Sequence, residues 1–213
     1  MHISDGLLPT SVWVGGGVIA AGALALSVRR FDDTRIPQLG VLTGLFFVAS
    51  SLKIPVPPAG SVHFVLNGLL GVTLGRHSFP CVLVALFFQY VFLAHGGLTT
   101  LGVNAVILGG GAAVAHIVFR LLAPGPTRRF LGWAAFLAGS SAVLASAGLF
   151  VLVMCLGGEP LDLVGRLVVI PHLPVALLEG VLTASAVRFI ARVKPELIPW
   201  RDTALRPIAA NDE

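Results

Sequence analysis

The sequence predicts an all-α integral membrane protein, a polytopic bundle of about seven transmembrane helices with the amino terminus outside and the carboxyl terminus in the cytoplasm. Three observations carry this. Of the 213 residues, 56% are hydrophobic and only 11% are charged, where a soluble domain carries about 25% charged residues. Mean hydropathy is +0.93, and apolar stretches near bilayer-spanning length recur along the chain. Lysine and arginine concentrate on alternate connections between those stretches.

In order, the stretches are 10–28, 38–53, 63–76, 78–95, 97–122, 130–156 and 168–191. The first follows an Asp-Gly pair at 5–6, a turn that folds the chain end back toward the bundle. No basic segment or small-residue cleavage pattern precedes it, so Met1 is expected to be the mature start. The second and third are short and flank "KIPVPPAGSVH", whose three prolines break helix. Such broken backbone at membrane depth is tolerated where it is buried in protein or lines a cavity. "HGG" at 95–97 turns the fourth stretch into the fifth, and "APGPTRR" at 123–129 is a loop before the sixth. No internal repeat is visible. Residues 1–193 are expected to form one transmembrane domain, and 194–213 a cytoplasmic polar tail that loses order toward its end.

Charge orients this topology. With the amino terminus outside, Arg29, Arg30, Arg35, Arg76, Arg120, Arg128, Arg129, Arg188, Arg192, Lys194, Arg201 and Arg206 fall inside, and only Lys53 and Arg166 outside. Twelve against two is the positive-inside pattern. The net charge of +4 is therefore loop charge and not a nucleic-acid footprint. Cys81 falls near the inner face and Cys155 near the outer one, too far apart to bridge.

On the same topology four of the six histidines, His2, His63, His95 and His172, gather on the outer side. His77 and His116 fall toward the inner side and are read as ordinary packing or cap residues. Imidazole is a preferred ligand of nickel, copper, zinc and related ions. The opening "MH" adds a specific possibility. The Met1 α-amine and the His2 backbone nitrogen close a five-membered chelate ring, and that nitrogen with His2 Nδ1 closes a six-membered one. A planar peptide unit joins them, and a second imidazole as fourth ligand completes a square. Backbone nitrogen binds only after losing its proton. Copper(II) and nickel(II) promote that best and suit square-planar nitrogen sites; cobalt is accommodated. Magnesium and calcium prefer oxygen, and zinc prefers a tetrahedron. Histidine at position 2 is large, so Met1 is expected to be kept.

Four motifs, "MHISDGLLP", "SSLKIPVPPAGSVHFVLNGLLGVTLG", "FLAHGGLTTLGVN" and "PHLPVALLEGVLT", together resemble the CbiM/NikM family. These are the substrate-binding (S) components of energy-coupling-factor cobalt and nickel transporters. The resemblance runs from Met1 to about Glu196. It implies a bundle of about seven helices with the amino terminus outside, in the cytoplasmic membrane of a prokaryote. The implied function is binding of Ni2+ or Co2+ as transported substrate, with Met1, His2 and His63 as metal ligands. "SVH" at 61–63 departs from the "SxSHPTG"-like form of many cobalt members, which leaves the choice of metal open. The implied partners are a transmembrane coupling (T) component, ATP-binding-cassette ATPases and a small accessory membrane subunit.

His95, Thr99, Thr100 and Asn104 are expected to support the ligands, against the alternative of polar caps on a tight helix hairpin; Asp5 is expected to orient His2 or else to cap its turn, and Ser61 belongs to the supporting set. Glu179 is the one acid well inside an expected membrane helix, about 10 Å deeper than His172. It is a functional candidate by its cost alone, or else the partner of a polar group on another helix. Gly71 with Gly75, and Ala21 with Ala25, carry the four-residue spacing of close helix packing. "LGGGAA" at 108–113 lacks the Gly-Lys-Ser/Thr of a phosphate loop, so energy must come from partners and the chain is not expected to be an enzyme. Two rivals stand beside this reading. An organic-vitamin S component would bind without a free amine, His2 or His63. An intramembrane metal-dependent hydrolase would need an open metal position and a nearby base, and no HExxH occurs.

Overall fold

The computed structural model describes residues 2–29, 33–55, 61–123 and 128–198. Its elements are α1 (Thr10–Val28), α2 (Ile36–Ser51), β1 (Lys53–Pro55), β2 (Ser61–His63), α3 (Asn67–Leu74), α4 (Ser78–Leu93), α5 (Leu101–Leu122), α6 (Arg128–Leu156) and α7 (Leu161–Val193), with short 3-10 turns at Asp33–Arg35, Gly75–His77 and Pro195–Leu197.

Cross-contacts fix the direction of each helix. Gly16 packs on Val103, and Ser27 lines a cavity with His116, so α1 and α5 run the same way. In α3, Asn67 donates to the Leu108 carbonyl, Gly71 meets Ala112 and Gly75 meets His116, so α3 also descends beside α5. The left-handed Gly75 (φ 57°) then turns the chain, and α4 climbs back alongside α2: Cys81 lies by the Leu39 carbonyl, and Gln89 by Ser50. Ser146 of α6 donates to the Ile107 carbonyl, and Ser140 to the Ala176 carbonyl of α7. The chain therefore alternates direction, and its described ends sit at opposite ends of the bundle. Ile3 is held at the start of α5, whereas the Leu197 carbonyl accepts from Gln38 at the start of α2.

Large apolar side chains face outward along the bundle, among them Val18, Ile19, Val41, Phe92 and Leu121, each at least 60% exposed. On a water-soluble surface a patch of that extent would be untenable; against lipid it is the required solvent match. Five helical stretches among the described residues are long and apolar enough to cross a membrane, with α3 and α4 counted as one stretch, Asn67–Leu93. The protein is a multi-pass membrane protein.

The sequence placed a third full stretch at 63–76. The structure shortens it to the eight-residue α3, wholly buried, because Leu66 takes a left-handed conformation (φ 53°) and residues 64–66 are not helical. Lys53–Pro55 and Ser61–His63, at the two ends of the proline linker, pair as short antiparallel strands, Lys53 opposite His63 and Pro55 opposite Ser61, which an all-helical expectation did not include. The seventh helix begins at Leu161, earlier than 168, and runs through Pro171 and Pro174. Arg30, Arg201 and Arg206 lie outside the described residues, as does the polar tail from 199 onward. Both cysteines are free.

Gly71 and Gly75 act inside the bundle, whereas Ala21 and Ala25 are exposed. A Cβ on Gly71 would land on the Ala112 carbonyl oxygen. Backbone cannot step aside as a side chain can, so Gly71→Ala should force α3 off α5 at a cost of about 1–3 kcal/mol. The check is the thermal midpoint in detergent. An unchanged midpoint would show that the helices do not pack this closely.

Candidate metal centre

The amino-terminal segment is pinned to the turn between α4 and α5. Asn104 treats Ile3 as a strand neighbour would: its Oδ1 accepts from the Ile3 N–H at 2.9 Å and its Nδ2 donates to the Ile3 carbonyl at 2.9 Å. The Thr100 hydroxyl donates to the same carbonyl at 2.7 Å. The Ile3 side chain is buried in the core beside them. Asp5 receives the N–H groups of Leu98 and Thr99, each at 3.0 Å, and the Thr99 hydroxyl. These donors precede α5, where a carboxylate also meets the positive end of the helix. The Thr99 hydroxyl, followed by the backbone N–H groups, holds the Asp5 carboxyl below the usual carboxylate range. Glycine is needed at 96 and 97. Gly96 has φ +78° and lies beside Asn104 and His2, and a Cβ on Gly97 would strike the Asp5 carboxylate.

With Ile3 and Asp5 fixed, His2 is set against the end of the bundle. Its ring centroid lies 5.1 Å from that of His63 and 6.2 Å from that of His95. His2 Nε2 is 2.9 Å from Gln89 Oε1. The Gln89 amide can point only one way. Its Nε2 faces the Ser50 hydroxyl oxygen (2.6 Å), the Ser51 hydroxyl oxygen and the Phe47 carbonyl. Both hydroxyls already donate to helix carbonyls, Ser50 to Phe46 and Ser51 to Phe47. Gln89 Oε1 is thus the acceptor, His2 Nε2 carries the proton, and His2 Nδ1 is left with a lone pair.

His63 ends β2 and is buried. Its Nδ1 lies 3.0 Å from the Phe64 carbonyl, which only accepts, so its lone pair is on Nε2. Burial, foremost, pushes both rings down: His2 well below the usual histidine range, and His63 to about 3. Both are neutral near pH 7, the form that binds metal. The loop that carries His63 is tied to α7. Glu179, fully buried, accepts from the Val65 N–H and, with both carboxylate oxygens, from the Leu66 N–H at 3.0 Å. It satisfies the backbone donors at the left-handed turn into α3.

His2, His63, His95 and Glu179 are therefore brought to one end of the bundle, while Asp5, Thr99, Thr100 and Asn104 hold the segment that carries His2. His116 lies beside Gly75 at the other end, and His77 is buried in the neighbouring turn. Met1 and the Ser61 side chain lie outside the described residues. Among the described residues no three His, Cys, Asp or Glu side chains gather closely enough to hold an ion unaided. Gln89 was not singled out from the sequence, although a lone amide inside the apolar "SFPCVLVALFFQYVFL" was the available signal. Replacing it with leucine should lower metal affinity by about 10–100-fold, read by equilibrium dialysis. Unchanged affinity would mean that the His2 tautomer needs no anchor.

Residues 2–197 match the family model for the cobalt uptake substrate-specific transmembrane region, CbiM. The chain belongs to the CbiM family. A Haemophilus influenzae relative named for metal transport is 35% identical over 93% of this chain and 97% of its own length. The cobalt transport protein CbiM of Geobacter sulfurreducens is 35% identical over 93% of this chain and 61% of its own. A fused chain carrying the CbiMQ name in Methanocorpusculum labreanum is 32% identical over 99% of this chain and 41% of its own. A crystal structure of a transition metal transporter shares the fold, with TM-score 0.75 and 22% identity over 91% of this chain and 93% of that one. This CbiM-family chain is accordingly a membrane component of metal uptake.

Proposed function

We propose that this chain captures Ni2+ or Co2+ for an energy-coupling-factor importer in the cytoplasmic membrane of a prokaryote, crossing the membrane seven times with its amino terminus outside. The ion is held by the Met1 amine, the deprotonated His2 backbone nitrogen, His2 Nδ1 and His63 Nε2. The observation that carries this reading is the pair of neutral imidazoles, 5.1 Å apart, with the His2 Nε2–H donated to Gln89. The non-metal-facing nitrogen of each ring is engaged, which leaves the nitrogen the chelate requires. The shortage of side-chain ligands among the described residues fits a site completed by backbone and terminal nitrogens. A planar site with an anionic amide leans toward low-spin nickel.

Metal release needs energy from partners: a transmembrane coupling component, ATP-binding-cassette ATPases and a small accessory subunit. The relative with the fused CbiMQ name supports pairing with a second membrane component. The test is metal retained by the purified protein. His63→Ala should lose most of the nickel or cobalt, and His116→Ala, at the far end, should keep it. Equal effects of the two substitutions would remove His63 as the fourth ligand.

A further inference from the structure

His172 is a buried imidazole that the proposed chelate leaves unused. It is 5% exposed. Its Nδ1 lies 2.7 Å from the Val168 carbonyl of its own helix, so Nδ1 carries the proton and Nε2 the lone pair. Nε2 is buried and has no hydrogen-bond partner among the described residues. An unsatisfied buried group of this kind calls for an explanation. The ring is tethered to α7 through its near nitrogen, so the far one points away from the α7 backbone. α7 packs against β2, the strand that ends in His63. Pro171 and Pro174 flank His172 and remove two helix N–H groups there, which loosens α7 at this level. His172 lies two turns along α7 from Glu179, which holds the His63 loop.

We infer that His172 is a hand-over ligand: its Nε2 takes the metal ion beside His63 as the amino-terminal nitrogens let it go. The inference rests on the chelate proposed above. His172 is not a corner of the resting square, since no three such side chains cluster among the described residues. In the exchange, the bonds from the ion to the Met1 amine and the His2 nitrogens break, and a bond to His172 Nε2 forms. The amide nitrogen regains a proton from solvent, His172 enters as a neutral donor, and the ion keeps its 2+ charge. A two-imidazole complex is far weaker than a four-nitrogen chelate, which is what an intermediate on the way out requires.

The experiment loads the full-length protein with nickel and measures both equilibrium retention and the rate of transfer to a coloured chelator. His172→Ala and His172→Gln should retain nickel within about threefold of the parent and release it at least tenfold more slowly. Unchanged release rates in both variants would overturn the inference. So would a parallel loss of retention in both, which marks a merely structural role. A parent protein that retains no nickel would instead refute the chelate itself, so the two failures are distinct.

Discussion

Acetylation of the Met1 amine should strip the purified protein of nickel and cobalt. The reason is chemical. Acetylation removes the amine donor while leaving the length almost unchanged, and the five-membered ring is lost. Without that anchor the His2 amide nitrogen keeps its proton, so two imidazoles remain where four nitrogens had been. A loss of at least about 100-fold in affinity is expected, roughly 3 kcal/mol. The fold should survive, because Ile3 and Asp5 pin the segment through bonds that do not involve residue 1. Thermal midpoints in detergent should match the parent, which separates loss of a ligand from loss of structure. Tight binding by a chain with a blocked amine would end the chelate model and favour a site built from the described histidines alone.

Much of this fold was legible because lipid imposes simple rules. The limits of α1, 10–28, were readable from apolar composition alone, since an isolated spanning helix need only be apolar. The short α3 was not. Its start depends on the left-handed Leu66 and on Glu179, a residue 113 positions away that accepts the Leu66 N–H. The true start of α7 was hidden for another reason: Asp162 and Arg166 interrupt the apolar pattern ahead of 168, although the helix already begins at Leu161. The site divides in the same way. His2 and His63 were visible as ligand types on one side of a charge-oriented chain. Gln89 was not, because its part depends on Ser50 and Ser51 turning the amide, a matter of packing between α2 and α4. His172 was grouped with His2 and His63 from the alternation of the stretches, but its bare Nε2 is a fact of burial and of the Val168 carbonyl.

Glu179→Ala should cost more than any other single side-chain truncation near the site. The carboxylate sits at 0% exposure and is the acceptor for the Val65 and Leu66 N–H groups. Removing it leaves two buried backbone donors without partners, each worth about 1–3 kcal/mol, so a loss of roughly 2–6 kcal/mol of stability is expected. The same bonds set where β2 ends and hence where His63 stands, so metal retention should fall by at least about tenfold even at temperatures where the bundle is still folded. Glu179→Gln keeps one oxygen able to accept both N–H groups and should lie between the parent and the alanine variant in both measurements. Thr183→Ala, one turn deeper and also fully buried, supplies the control: it should affect stability modestly and leave retention intact. If Glu179→Ala and Thr183→Ala bound nickel equally well, the His63 loop would hold its shape without its tie to α7, and the carboxylate would be a packing element of the bundle with no part in the metal site.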